Sequence, residues 1–124
     1  MKNKIKLFDP VIGVEEENAI LKVLKSKFWA SGNGSGNVEK FENTFKKFIQ
    51  SRTCVAVNSG TSALHIACKA LGLKTGDILW TSPITFVASA NCGLYCGASV
   101  DFVDIDPNTK FLSVWCLRQK LESC

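Results

Sequence analysis

One stretch of the chain, residues 54–72, constrains the possible folds more than any other. Its first four residues, 54–57, form a short apolar run that is typical of a strand buried on both faces. Residues 58–60 are turn formers, and apolar side chains then recur at helical spacing. Gly72 stands where a left-handed residue would end such a helix. The stretch therefore predicts a strand, a tight turn and a helix.

The predicted turn is rich in groups that hold anions. The N–H groups that begin a helix lack partners inside it, and the helix dipole is positive at that end. Ser59, Thr61 and Ser62 add hydroxyl donors, and Gly60 lets a phosphate approach the backbone closely. An ordinary helix cap would use the same residue types, so both interpretations stay open. The turn matches neither the Walker A motif nor G-x-G-x-x-G.

From residue 54 onwards the pattern alternates between strands and helices. Strands are predicted at 54–57, 78–81 and 99–103, and a helix is predicted after each of them. This order favours an α/β fold with a parallel sheet and right-handed crossovers. Ligands of such sheets bind beyond the carboxyl ends of the strands. The loops at 58–62 and 81–86 both fall there.

The second of these loops ends in an aromatic residue, Phe86. A phosphate cradle that faces a flat ring is what a phosphorylated planar cofactor needs. Packing in the core is the alternative role for Phe86. The helix after it is predicted from Phe86 to Cys96, with Thr85 as its cap and Gly97 as its stop. Ser113 is predicted to cap a last helix, Val114 to Glu122.

Two more helices are predicted upstream. The first covers Val14 to Ser26, and the second is amphipathic and covers Val38 to Ile49. Between them, residues 31–37 are so rich in glycine that they predict a loop. A phosphate-loop interpretation of these glycines is disfavoured, because no strand precedes them.

Composition excludes several classes of protein. A chain of 124 residues, 46% hydrophobic and 21% charged, suits one soluble globular domain. The net charge of +4 is spread along the chain, unlike a nucleic-acid-binding stripe. No long apolar run follows the basic N-terminus, which argues against a signal peptide or membrane span and for a cytoplasmic protein. Six cysteines without C-x-x-C, and His65 as the one histidine, argue against a metal site.

Three ordered motifs resemble those of a known enzyme family. They are Val57 to His65 at the turn, Thr81 to Cys92 at the second loop, and Gly97 to Asp106 around the third strand. Together with Val38 to Glu42 upstream, they are similar to the DegT/DnrJ/EryC1/StrS sugar-nucleotide aminotransferases, which are pyridoxal-phosphate enzymes of fold type I. The motif that begins at Thr81 looks closest to the branch that serves the pseudaminic acid pathway.

The resemblance implies a domain organisation and a set of cofactor-binding residues. Residues 38–124 would be the N-terminal part of the large domain, an α/β fold whose parallel-type sheet has helices on both faces. Residues 1–37 would form a preceding helix and glycine-rich loop. The implied cofactor is pyridoxal 5'-phosphate, and the residues that match its binding site are Gly60, Thr61 and Ser62 at the phosphate and Phe86 on the pyridine ring. His65 matches no catalytic role of the family.

The implied reaction transfers an amino group from glutamate to a 4-keto sugar nucleotide, in a homodimer. Family members are several hundred residues long, so the chain is interpreted as an N-terminal part that lacks the lysine bonded to the cofactor. Alone, it is expected to be inactive. Two alternatives stay open: a stand-alone phosphate- or nucleotide-binding α/β module without catalysis, and a fragment without function. The loop at Gly32 to Gly36 departs from the family pattern, because it is richer in glycine than the threonine-glycine-proline sequence that is usual there.

Overall fold

The computed structural model describes residues 5, 6, 8–29 and 36–123. The chain divides into two compact units, Met1–Cys54 and Val55–Cys124. The first contains helices α1 (Val14–Ser26) and α2 (Asn37–Phe48). The second contains, in chain order, α3 (Gly60–Ala70), β1 (Ile78–Thr81), α4 (Ala88–Tyr95), β2 (Ser99–Phe102) and α5 (Val114–Glu122). The division predicted between residues 37 and 38 concerns the organisation of a larger domain, and it stays a prediction.

The first unit forms its two helices where the sequence predicts them. At the start of α1, the Gly13 N–H donates to Oε2 of Glu16 at 2.8 Å. This bond and one from the N–H of Glu16 itself hold the pKa of the Glu16 carboxyl below its ordinary value. On α2, the ring centroids of Phe41 and Phe45 stack 5.6 Å apart. Most of the predicted glycine-rich loop, residues 31–35 of 31–37, lies outside the described residues.

The second unit is built on a pair of parallel strands. Its register runs from Ile78 opposite Ser99 to Thr81 opposite Phe102, which confirms the predicted parallel pairing of these two runs. Helix α4 packs on both strands and on α3. The apolar core lies around α4 and β2 and consists of Ala88, Cys92, Cys96, Ala98 and Val103.

The strand predicted at 54–57 is absent from the part of the chain that the structure describes. Strands β1 and β2 pair with each other, and neither forms a ladder with residues 54–57. Val55 and Val57 are exposed, so the run is not buried on both faces either. A strand is held in place by hydrogen bonds to a neighbouring strand, and no described strand pairs with this apolar run. The prediction was wrong because an apolar run indicates only that its residues can be buried. It does not indicate whether a neighbouring strand is there to pair with it.

The predicted helix ends are confirmed at three places and wrong at a fourth. Gly72 and Gly97 have φ values of 85° and 81°, the left-handed conformation that ends a helix. Ser113 caps α5, because its Oγ accepts from the N–H of Cys116 at 3.2 Å. Thr85 does not cap α4, which begins only at Ala88 with Val87 as its N-cap and no side-chain cap bond. The residues after Pro83 form bends, so the helix starts too late for Thr85 to reach its free N–H groups.

Lys120 attaches α5 to the sheet. Its Nζ donates to the carbonyl oxygen of Phe102 at 2.7 Å and lies 2.5 Å from Oδ2 of Asp101. The same ammonium is 5.6 Å from the ring centroid of Trp80. The hydrogen bond from Lys120 is the main reason that the pKa of Asp101 lies below its ordinary value. One side chain therefore joins α5 to both strands.

Replacing Lys120 by Met should lower the free energy of unfolding by about 1.5 kcal/mol, the worth of a hydrogen bond from a charged donor. Asp101 contributes above its unfolded pKa and loses that contribution as the pH falls through its lowered folded pKa, so the effect should shrink in acid. Urea unfolding of the 124-residue chain measures it. Lys69→Met, on the exposed side of α3, is the matched control. Equal losses in the two variants would contradict this anchoring role.

Candidate functional site

The turn before α3 is closed by a chain of three hydrogen bonds. The Ser62 N–H donates to Oγ of Ser59 at 3.1 Å, which makes Ser59 the N-cap of the helix. The Ser59 hydroxyl donates to Oγ of Ser62 at 2.9 Å, and the Ser62 hydroxyl donates to Oδ1 of Asn58 at 3.0 Å. The cap interpretation of this turn is therefore confirmed, and it accounts for one of the free N–H groups of the helix.

Two N–H groups and one hydroxyl of the turn take no part in these hydrogen bonds. Among the described residues, the backbone N–H groups of Gly60 and Thr61 and the hydroxyl of Thr61 form no hydrogen bond. A Cβ built on Gly60 would meet no heavy atom within 4 Å, so the space in front of this backbone is open. The cap and an anion-binding role are thus compatible, because they use different donors.

The Ser62 hydroxyl is less available to bind an outside anion than the Thr61 hydroxyl. The proton of its hydroxyl is directed at Asn58, so donation to an outside anion would break that bond. Sequence reasoning treated Asn58 only as a turn former and missed its contact with Ser62. The spacing of four residues between an amide and a hydroxyl across a helix start was the available signal.

Phe86 is 75% exposed in the structure, so it does not pack into the core formed by the described residues. Its carbonyl oxygen accepts from the N–H of Ser89 at 3.0 Å, which leads the chain into α4. Strand β1 ends five residues earlier, at Thr81. Within the described part of the chain, Phe86 forms no hydrogen bond or ring contact with the turn before α3.

His65 faces α4 from the middle of α3. Its ring meets the ring of Tyr95 edge-on, with centroids 5.4 Å apart. Its Nε2 is buried and forms no hydrogen bond with any described residue. The contact supports the prediction that His65 is a helix-face residue.

Metal ligands do not cluster in the described ranges: no three His, Cys, Asp or Glu side chains there are placed to hold an ion together. None of the helices in the same ranges is long and apolar enough to cross a membrane. The polar groups before α3 and the exposed ring of Phe86 are the features on which a candidate site rests.

Residues 10–123 match the family model of the DegT/DnrJ/EryC1/StrS aminotransferase family. The chain belongs to this family. The members of this family depend on pyridoxal phosphate, and the α/β fold with its parallel strands is the N-terminal part of their large domain. The resemblance of the three sequence motifs is confirmed.

Curated relatives in the family differ in the sugar named. The spore coat polysaccharide biosynthesis protein SpsC of Bacillus subtilis is 42% identical over 100 residues, 81% of this chain and 25% of SpsC. The UDP-4-amino-4,6-dideoxy-N-acetyl-beta-L-altrosamine transaminase of Campylobacter jejuni is 41% identical over 71% of this chain and 22% of its own. GDP-perosamine synthase of Escherichia coli O157:H7 is 35% identical over 94% of this chain and 32% of its own.

Solved structures of similar proteins share the fold. The pyridoxal-phosphate form of the sugar aminotransferase Spr1654 from Streptococcus pneumoniae superposes with a TM-score of 0.80 and 25% identity, over 93% of this chain and 29% of that one. An E. coli GDP-4-keto-6-deoxy-D-mannose-3-dehydratase with bound hydrated pyridoxal phosphate gives 0.81 and 29%, over 91% and 30%. This chain thus spans 22% to 32% of the length of each of these five proteins.

Proposed function

We propose that this chain is the N-terminal, cofactor-binding part of an aminotransferase that moves an amino group from glutamate to a 4-keto sugar nucleotide. The observation that carries the proposal is the turn before α3. Its N–H groups at Gly60 and Thr61 and the Thr61 hydroxyl have no hydrogen-bond partner among the described residues, and the space at Gly60 is open. Family membership supplies the cofactor, pyridoxal 5'-phosphate, whose phosphate these donors suit.

The residues of the turn have unequal roles in this proposal. The N–H groups of Gly60 and Thr61 and the Thr61 hydroxyl hold the phosphate, because charged acceptors form the strongest hydrogen bonds. Ser62 contributes only after its hydroxyl turns away from Asn58. Phe86 offers an exposed ring to cover one face of the cofactor. When bound, the cofactor supplies the electron sink that amino transfer needs.

For the sugar, we propose the 4-keto nucleotide sugar of the pseudaminic acid pathway. The 41% identity to the Campylobacter altrosamine transaminase supports this choice. The 35% identity to GDP-perosamine synthase supports a related substrate with another base and sugar as the main alternative. A cytoplasmic homodimer is the proposed state of the whole protein. Large apolar side chains exposed in the second unit, among them Ile78, Phe102 and Trp115, are surfaces that further chain or a partner would cover.

The decisive experiment compares the 124-residue chain with the product of the complete reading frame that contains it, here called the complete gene product. With pyridoxal phosphate, glutamate and a 4-keto nucleotide sugar, the complete gene product should form the amino sugar, detected by mass spectrometry. The 124-residue chain should not, because the covalent step needs a cleft lysine that is not among the residues assigned to this site. Turnover by the 124 residues would overturn the fragment interpretation. Phosphate binding without turnover by the complete gene product would favour the stand-alone binding module.

Replacing Phe86 by Ala in the complete gene product should weaken binding of pyridoxal phosphate about tenfold, since a stacked aromatic pair is worth about 1 kcal/mol beyond its buried area. Phe86→Trp should retain most of the affinity. The quench of cofactor fluorescence on titration measures both. Ile84→Ala removes another exposed apolar side chain of the same loop and is the matched control. Unchanged affinity in Phe86→Ala would remove Phe86 from the cofactor site.

A further inference from the structure

The Ser62 hydroxyl has already committed its proton within the turn before α3. It donates to Oδ1 of Asn58 at 3.0 Å, and its oxygen accepts from the Ser59 hydroxyl at 2.9 Å. A hydroxyl has one proton and two lone pairs, so the described residues leave one lone pair of the Ser62 oxygen without a donor. The oxygens of an ionised phosphate are strong acceptors. Ser62 can therefore bind a phosphate only by turning its proton away from Asn58.

The side chain of Asn58 is able to follow this movement. A carboxamide has an acceptor oxygen on one arm and an NH₂ donor on the other. The torsion that carries it has two broad orientations half a turn apart. Asn58 is exposed, so packing opposes such a half turn little. After it, Nδ2 takes the place of Oδ1 beside the Ser62 oxygen and can donate to the lone pair there.

We propose that Asn58 is a positioning residue for the cofactor phosphate. Its amide accepts the Ser62 proton while the turn is empty, and it turns over to donate to the Ser62 oxygen when a phosphate binds. The inference rests on the proposed function, in which the turn holds the phosphate of pyridoxal phosphate. In the bound arrangement Ser59 and Asn58 both donate to Ser62, whose proton is directed at the phosphate. Hydrogen bonds in such a chain polarise one another, which strengthens the last of them.

Two substitutions of Asn58 separate this role from a purely structural one. Asn58→Asp has the same shape, but an ionised carboxylate only accepts, so it keeps the Ser62 proton and cannot change to a donor. Asn58→Leu neither accepts nor donates, so it leaves the Ser62 hydroxyl able to turn to a phosphate. A structural role predicts the opposite order, because Asn58→Asp preserves the hydrogen bond of the empty turn and Asn58→Leu removes it.

The test measures how much Ser62→Ala lowers the affinity for pyridoxal phosphate in different backgrounds of the complete gene product, by the quench of cofactor fluorescence. The loss should be about fivefold in the unaltered protein, in Asn58→Leu and in the matched control Asn43→Leu on α2. In Asn58→Asp it should be less than about twofold, because that hydroxyl is already withheld. Comparison within one background cancels the repulsion between the added carboxylate and the phosphate. The affinity for pyridoxal, which lacks the phosphate, should change little throughout.

Equal losses in all backgrounds, or a loss that also disappears in Asn58→Leu, would overturn the role of Asn58. No loss from Ser62→Ala in the unaltered protein would overturn it as well, and Thr61→Val then shows how far the failure extends. If Thr61→Val still lowers the affinity for pyridoxal phosphate, the proposed function stands and only the role of Asn58 fails. If it does not, both fail. Asn58→Asp against the unaltered protein decides the matter even if Asn58→Leu does not fold.

Discussion

In the complete gene product, changing Thr61 to Val and Ser62 to Ala together will weaken binding of pyridoxal phosphate by about 100-fold or more. A hydrogen bond to a charged acceptor is worth about 1.5–3 kcal/mol, and about 1.4 kcal/mol is tenfold in affinity. Thr61→Val alone should cause most of this loss, because no described residue bonds the Thr61 hydroxyl, whereas that of Ser62 is bonded to Asn58. Equilibrium titration of the single and double variants measures both effects.

Ser59→Ala is the control that separates the cap from the proposed phosphate site. Loss of the Ser59 hydroxyl removes the acceptor for the Ser62 N–H, so stability should fall by about 1 kcal/mol. The donors at Gly60 and Thr61 stay in place, so cofactor affinity should change little. If Ser59→Ala lowered the affinity for the cofactor as much as Thr61→Val does, the turn would affect cofactor binding only through the stability of α3.

Gly93→Val will destabilise the second unit by about 3 kcal/mol, the upper part of the range for overpacking a core. A Cβ at Gly93 would lie 2.8 Å from Cδ2 and 3.0 Å from Cβ of Leu79, and 3.2 Å from Cγ2 of Val100. Rotation of the Leu79 side chain relieves the first contact but not the second, so α4 must move away from both strands. Thermal unfolding of the 124-residue chain should show the loss.

The neighbouring change Leu94→Val provides the matched control for this prediction. Leu94 is 55% exposed on α4, so the same valine there costs only its lower helix propensity, about 0.5 kcal/mol. Equal unfolding temperatures of the two variants would contradict the claim that α4 approaches the sheet too closely at Gly93 for a larger side chain.

Elements whose signals are local could be predicted from the sequence. The bounds of α1 follow from the glutamates at its start and the lysines at its end, and the caps at Ser113 and Gly97 are side-chain and backbone effects within a few residues. The strand at 54–57 failed because pairing is not local. Its apolar residues suit a sheet, but the two strands of the second unit pair with each other.

The features of the candidate site likewise divide into those that the sequence could predict and those that it could not. Gly60, Thr61 and Phe86 were singled out from residue type and from their place after predicted strands, and the structure leaves their donors and ring accessible. The hydrogen bond from Ser62 to Asn58 depends on side-chain rotamers, and the spacing of residue types along a sequence does not predict rotamers. The start of α4 was misplaced because the bends after Pro83 occupy residues that carry a helical pattern.

The most direct measurement for the central claim compares pyridoxal phosphate with pyridoxal, which lacks the phosphate, in the complete gene product. Both ligands are titrated against the unaltered protein and against Thr61→Val, with Thr44→Val on α2 as a matched control. If the turn before α3 holds the phosphate, Thr61→Val lowers the affinity for pyridoxal phosphate at least tenfold and leaves that for pyridoxal nearly unchanged. Equal losses for both ligands, or no loss for either, would contradict the claim.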